Sequence, residues 1–469
     1  MNTTRRLSIF RGFLVSLLIS ASLPLGSISA SPALAAIQKP LIPVTRDFKL
    51  TNGLRVLLSE DHSVPVAALA IVYDVGARDE RKGRSGFAHF FEHMMFQGSD
   101  NVGKMEHMKY IEGVGGSLNA STHPDFTNYF EKVPSNQMEL CLWLESDRMR
   151  SLKVTPQSFQ NQLETVKEEK RSRIDNQPYV PAAIRLEERL YDNWANSHAV
   201  IGTFDDLNAS SVEDIKEFFK TYYAPNNAVM AIVGDFDAAE MQKLVEKYFS
   251  SIPSVPTPAR SDLSEPGQKS PKLEKMEDKH AQLPAFWLGW KAPGRRDPDY
   301  YALQIVEKLL SAGDSSRLYQ RMIKGDQVAL KVEAGYDERR GPSAFEAFIV
   351  YKPGNSTEKV KEIFWSEIDK LKNSAVPAEE LEKARNQILR NYFSGSSYNS
   401  LQRSLGKAEL LAEYTSFFGD PKYLDDDIEA VMKVNADDVQ RVAKKYLTKE
   451  SITVIDIEPA AEKAKPAKS

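Results

Sequence analysis

In the stretch Ala88-His89-Phe90-Phe91-Glu92-His93-Met94-Met95-Phe96, two imidazoles and a carboxylate are spaced so that one helix face would carry all three. At about 100° per residue, His89, Glu92 and His93 fall within one sector of roughly 100°, while Phe90, Phe91, Met94 and Met95 take the other side. An apolar helix with such a stripe must satisfy it in a core or point it into a cavity. Imidazoles four residues apart can grip one zinc ion, and the adjacent carboxylate can take a proton from a water that the metal activates.

Zinc takes a third protein ligand and keeps one position open for water. The helix opening at Thr155-Pro156 offers candidates, since Thr is a favoured N-cap and Pro a favoured first helical residue. Its apolar stripe runs through Phe159, Leu163 and Val166. With Phe159 at zero, Glu169 lies at about −80°, beside the stripe, whereas Glu168 lies near 180° and faces solvent. Periodicity therefore prefers Glu169. Gln162, seven residues earlier, shares its face, and Lys170 falls within the stripe, where periodicity gives a charge no reason to be.

The elements that position these groups read as a mixture of strands and helices. Strand-like runs cover residues 53–58, 66–75, 126–133 and 283–290, and helical stretches cover 135–149, 155–174 and 299–310. Residues 250–280 carry Pro253, Pro256, Pro258, Pro266 and Pro271 among Ser and charged residues with no hydrophobic period, so a linker is predicted at 253–280 between domains at 36–252 and 281–459. Both halves end alike. Val212-Glu213-Asp214-Ile215, Phe219-Lys220-Thr221-Tyr222 and the run from Val229 match Ala436-Asp437-Asp438-Val439, Ala443-Lys444-Lys445-Tyr446 and the run from Thr453 at one offset of 224, without a gap. The fold class predicted is α+β, in two domains related by duplication.

Arg5, Arg6 and Arg11, an apolar run from Phe13 and the small residues ending at Ala35 form the layout of a secretory signal over residues 1–35. Thr4-Arg5-Arg6-Leu7 is a partial twin-arginine signal, so export by the general or the twin-arginine route is open. Export is expected, to the periplasm if the chain is bacterial. No later run is long and apolar enough for a stable membrane span after processing. Setting aside those three arginines leaves 58 basic against 65 acidic residues, which argues against a nucleic-acid partner. The single cysteine, Cys141, excludes an intrachain disulfide. The tail at 460–469, rich in Ala, Lys and Pro, is expected to be disordered.

The stretch from Gly76 to Phe96, the run Gly115-Gly116-Ser117-Leu118-Asn119-Ala120, the acidic helix through Glu169 and the segment Asp175-Asn176-Gln177-Pro178 together resemble the insulinase and pitrilysin family of inverted-motif zinc metallopeptidases, above all its short, two-domain processing-peptidase branch. The resemblance implies half of a clam-shell chamber, each domain an antiparallel-rich sheet packed with helices. It implies one zinc per chain, held by His89, His93 and Glu169, with Glu92 as general base in the hydrolysis of unfolded peptides or short protein segments. It places Asn119 and Ala120 on an edge strand that binds substrate, although spacing alone makes Asn119 a turn residue beside Gly116. Many members carry a glutamate where this chain has Gln162, which can hydrogen-bond to a ligand but supplies no charge. In the second domain the family often places an Arg and a Tyr seven apart; here Ile323 and Leu330 stand instead, with Arg317 and Tyr319 nearby at the wrong spacing. Aligning Gly313 with Gly98 puts Gln304, Glu307 and Lys308 where His89, Glu92 and His93 stand, so no metal chemistry is expected there. The implied partner is a related subunit that lacks the zinc motif, in a heterodimer, or otherwise a second copy in a homodimer. A non-catalytic peptide-binding or assembly subunit is the alternative function.

Overall fold

The computed structural model describes residues 40–394 and 400–460. The expected signal at 1–35 and residues 461–469 of the expected tail lie outside the described residues.

The first half builds a six-stranded sheet from β1 (Arg46–Lys49), β2 (Arg55–Glu60), β3 (Val66–Tyr73), β4 (Ser117–Thr122), β5 (Thr127–Pro134) and β6 (Ala228–Gly234), in the order β1-β2-β6-β3-β5-β4. The second builds a five-stranded sheet from β7 (Lys272–Asp278), β8 (Ala285–Ala292), β9 (Ala329–Asp337), β10 (Ser343–Tyr351) and β11 (Thr453–Pro459), in the order β7-β11-β8-β10-β9. With β1 set aside, the two orders superpose. In each, the last strand of the half pairs parallel to the first of its set and antiparallel to the second. The helices before those last strands, Val212–Tyr222 and Ala436–Tyr446, both open on capping boxes, Ser211 with Asp214 and Asn435 with Asp438. Both pairs satisfy orphan first-turn N–H groups at positions 224 apart.

Lys272–Asp278, assigned to the linker by composition, is a full strand of the second sheet, paired in parallel with β11. Residues 253–271 form no helix or strand but are tied down: Glu265 accepts from the backbone of Asp192 and Asn193 at 3.1 and 3.0 Å, and Arg260 pairs with Asp74.

β3 is apolar on both sides because both faces of its sheet are covered. Leu69, Ile71 and Tyr73 face the core that contains the helices of their own half, whereas Ala68, Ala70 and Val72 face the helix Ser404–Phe418, which comes from the second half. The exchange is reciprocal. The first-half helix Val180–Leu190 lays Ala182 and Leu186 on Ala285, Phe348, Ile455 and Ile457 of the second sheet. Gly289 of β8 makes the close approach possible, since a Cβ there would stand 3.1 Å from a Leu186 methyl. Full burial of a leucine contributes about 1.5–3 kcal/mol, so each half depends on side chains of the other. Among the described residues no helix is long and apolar enough to cross a membrane.

Candidate metal centre

The motif helix spans Phe87–Met94, with Phe87, Ala88, Phe90, Phe91 and Met94 buried. It starts at Gly86, whose φ of 83° and whose contact with Ile201 (a Cβ would meet that carbonyl oxygen at 2.5 Å) leave no room for a side chain. Glu80 caps the helix instead. Its two oxygens accept the backbone N–H groups of Gly86 at 2.9 Å and Ala88 at 2.7 Å. The partner helix Pro156–Lys170 opens on Thr155, whose hydroxyl accepts from the Ser158 N–H, and it packs on the motif helix through Phe159 against Phe90, ring centres 5.2 Å apart.

This packing brings His89, His93 and Glu169 together, with potential ligand atoms all within 4.8 Å of one another. Glu169 Oε2 lies 3.3 Å from His93 Nε2 and 3.8 Å from His89 Nε2. Ligands about 2.0–2.1 Å from a tetrahedral ion stand roughly 3.3–3.4 Å apart, so the spacing fits zinc and the set leaves a fourth position. The electrostatics fit as well. Burial, with His93 close by, pushes His89 down to about 4, which keeps it a neutral imidazole, and the His93 hydrogen bond holds the Glu169 carboxyl below its ordinary value. Burial opposes a charge on His93, yet Glu169 and Glu92 together raise its pKa. Two carboxylates thus draw a proton to a place where a divalent cation would serve both. Glu168, by contrast, is turned to solvent and pairs with Arg171 at 3.1 Å.

Gln162 Oε1 lies 3.3 Å from His93 Nδ1, so the amide orients the ring as an acceptor. Lys170, without a periodic reason to be buried, bonds Asp175 at 2.6 Å and lies 4.9 Å from the Phe204 ring centre, where the chain widens into a π-helical turn over Arg171–Asp175. Three residues escaped the sequence reading. Thr122 donates to Glu92 Oε2 at 2.6 Å, Arg173 holds Glu169 Oε1 at 2.7 Å, and Glu80 caps the motif helix. Thr122 was findable, since it follows Ala120 by two on a strand. Arg173 and Glu80 depend on tertiary geometry that no local pattern carries. Glu92 is half-buried, and the desolvation raises its pKa against the Thr122 hydrogen bond.

Asn119 is a strand residue, not the turn residue its spacing suggests. It and Ala120 lie in β4, which among the described residues pairs only with β5, Asn119 opposite Phe130 and Ala120 opposite Tyr129, so that its other edge is open among them. In the second half, Ile323 is half-buried against its core and Leu330 is exposed on β9. Gln304 donates to Glu338 at 2.8 Å and Lys308 pairs with Glu307, so the duplicated helix presents an internally satisfied set instead of a ligand triad. A further trio, His107, Glu131 and Glu145, is buried, but Arg148 neutralises Glu145 and lies 4.5 Å from the Tyr129 ring centre, and burial keeps His107 neutral by pushing it down to about 3. That trio is a structural network.

A duplicated α+β fold with an inverted His-x-x-Glu-His helix and a distant glutamate defines a zinc-peptidase class of protein. The family described as Insulinase (Peptidase family M16) matches residues 55–203, and the one described as Peptidase M16 inactive domain matches residues 210–388. The chain belongs to this insulinase family. It is 28% identical over 424 residues to the zinc protease PqqE of Helicobacter pylori, covering 89% of this chain and 94% of that one. It is 25% identical over 430 residues to a probable mitochondrial-processing peptidase subunit beta of Arabidopsis thaliana, covering 89% and 79%. The crystal structure of a protease from Helicobacter pylori superposes with a TM-score of 0.83 at 28% identity, covering 89% of this chain and all of that one. The periplasmic protease PqqL from Escherichia coli shares the fold with a TM-score of 0.72 at 17% identity, but this chain spans only 48% of it.

Proposed function

We propose that the chain is a zinc-dependent endopeptidase that hydrolyses extended peptides or unfolded protein segments. The observation that carries the reading is the convergence of His89, His93 and Glu169, with Glu92 on the same helix and an open edge strand beside it. When bound there, zinc supplies Lewis acidity, bringing the ionisation of a water near neutral pH and polarising the scissile carbonyl. His89 and His93 hold it as neutral imidazoles. Glu169 offers one carboxylate oxygen while Arg173 occupies the other. Glu92, fixed by Thr122, accepts a proton from water and returns it to the leaving amine. The backbone around Asn119 and Ala120 lays out the peptide as an added strand, which folded proteins cannot offer. The reading includes export, resting on the pattern of residues 1–35.

Ile323 and Leu330 offer no positive charge or hydroxyl to a developing oxyanion, and one such donor is worth about 3 kcal/mol in the transition state. The reading therefore places a related subunit lacking the metal motif beside this chain. The test is Glu92→Gln, assayed alone and with a candidate partner. The variant should keep zinc and lose hydrolysis of an unstructured peptide by ~10²–10⁴-fold. Near-normal turnover would sink the assignment of Glu92. A wild-type chain that binds peptide but never cleaves it, with or without a partner, would favour the non-catalytic subunit instead.

A further inference from the structure

His198 takes no part in the metal centre, yet its surroundings fix its charge. Its side chain is only 7% exposed and sits at the end of the short helix Trp194–Ser197. Nδ1 lies 2.8 Å from the carbonyl oxygen of Trp194, and Nε2 lies 2.8 Å from the carbonyl oxygen of Ala77 and 3.0 Å from Glu80 Oε2. A carbonyl oxygen carries no hydrogen, so each ring nitrogen must donate, whereas a neutral imidazole has a single N–H. Only the imidazolium satisfies both contacts. The Trp194 ring, 4.0 Å away and at 11° to the imidazole, gives that cation a flat aromatic face.

The charged groups around the ring leave it one partner. Glu80, just before the motif helix, meets it directly. On the helix Val180–Leu190, Glu187 feels the His198 charge but is paired with Arg339, which also donates to the Asn196 carbonyl. On the 3₁₀ turn Ala77–Asp79, Arg78 is paired with Asp125, and the Asp79 carboxylate accepts the Gly76 N–H. Beyond His198, Asp206 is taken up by the backbone N–H and hydroxyl of Ser85. Burial opposes the charge on His198, but the Glu80 hydrogen bond and the two carbonyls outweigh it and raise the pKa. Burial also pushes the Glu80 carboxyl up, and the bond from His198 is the leading influence that holds it down.

We propose that His198 is a pH-sensitive clamp on the motif helix: its imidazolium holds Glu80 against the helix start, and loss of the proton as pH rises loosens that cap and, with it, the grip on a metal at His89 and His93. The last step rests on the metal-centre reading. Because the pKa is raised, the clamp is complete below the ordinary histidine value of about 6.5 and is lost as pH rises through the folded value. With the ring neutral, one nitrogen lone pair faces a carbonyl oxygen, and Glu80 keeps only the Gly86 and Ala88 N–H groups to hold a buried charge.

The experiment uses the full chain with one equivalent of zinc and ring-labelled histidine, His198 being assigned by its contacts with the Trp194 ring. NMR should show both ring nitrogens protonated in most molecules at pH 7, where a histidine with a pKa of about 6.5 is mostly neutral. Across the titration of that ring, hydrogen-exchange protection of the Gly86 and Ala88 amides, corrected for intrinsic exchange, should fall ~10-fold, the worth of one charge-assisted hydrogen bond. His198→Gln keeps a donor toward Glu80 but no charge. It should show the lower protection at every pH, and it should release zinc to a chelator ~10-fold faster than the unaltered chain below the titration but within about twofold of it above. A ring with a single N–H at pH 7, or protection that does not change across its titration, overturns the clamp. Equal zinc release by the two chains on both sides of the titration overturns its reach to the metal. If the chain binds no zinc, the metal-centre reading falls, while the ring and amide measurements still decide the clamp.

Discussion

The motif helix can present its ligands only if its first turn is held, and Gly86 has no side chain to hold it, so Glu80 should be the most sensitive residue outside the metal site. Both carboxylate oxygens accept helix N–H groups, at 2.9 and 2.7 Å, and His198 Nε2 lies 3.0 Å from Oε2. Glu80→Gln keeps the shape but replaces one acceptor by an NH₂ group that faces an N–H. One buried N–H is orphaned, at about 1–3 kcal/mol, one charge-assisted bond becomes neutral, and the favourable interaction of a negative charge with the helix N-terminus is lost, at about 0.3–1 kcal/mol. The expected loss is ~3 kcal/mol of stability, with weaker zinc retention because the helix end is freed. Glu217→Gln is the control, since Glu217 is exposed and pairs with Arg81 at 3.3 Å, and it should cost under about 0.5 kcal/mol. Denaturant unfolding with and without a chelator, and competition for zinc, measure both quantities. If Glu80→Gln matches its control in stability and in zinc affinity, the capping argument is wrong.

Glu169→Gln should lower bound zinc per chain, measured by metal analysis, whereas Glu168→Gln should leave it unchanged; the reverse would mean the ligand helix is read in the wrong register. Burial resists the charge of Asp299, but Lys445, Arg441 and Tyr446 outweigh it and hold its carboxyl down at about 2. Its contribution is therefore present above the unfolded value of about 3.9 and is lost as pH falls toward 2, so Asp299→Asn should cost ~1–2 kcal/mol at pH 7 and less at pH 3, by denaturant unfolding at both. Residues 40–252 produced alone should not unfold cooperatively, because the face of β3 bearing Ala68, Ala70 and Val72 would be bare, and mixing with residues 253–460 should restore folding. A cooperative, monomeric first fragment would contradict the exchange.

Where periodicity governs, the sequence was enough to read the structure. His89, Glu92 and His93 on one stripe, and Glu169 but not Glu168 toward the core, follow from 100° per residue. The repeat at 224 anticipated matching closing units because capping boxes and buried strands are local signals. What could not be read is set by contacts between distant segments. The strand at Lys272–Asp278 has only Leu273 and Met276 as apolar residues, three apart and so at no strand period, and it sits next to five prolines; its pairing with a strand some 180 residues later decides its state. The exchanged helices look like ordinary amphipathic helices of their own halves. Nothing in their composition says that each covers the other's sheet.

The second half shows how a duplicated helix is kept without a ligand set. Positions aligned with two imidazoles and a carboxylate hold Gln304, Lys308 and Glu307, and the lysine and glutamate satisfy each other. The helix that carries them, Pro298–Ser311, stays because its buried face, with Leu303, Ile305, Val306 and Leu310, packs its core without needing a ligand. Gln304 aligns with His89, yet it donates to Tyr300 and to Glu338. Glu338 in turn lines a cavity behind β4. Under the peptidase reading the two halves divide the work: the first would hold the metal, and the second lends the helix that covers the far face of the first sheet.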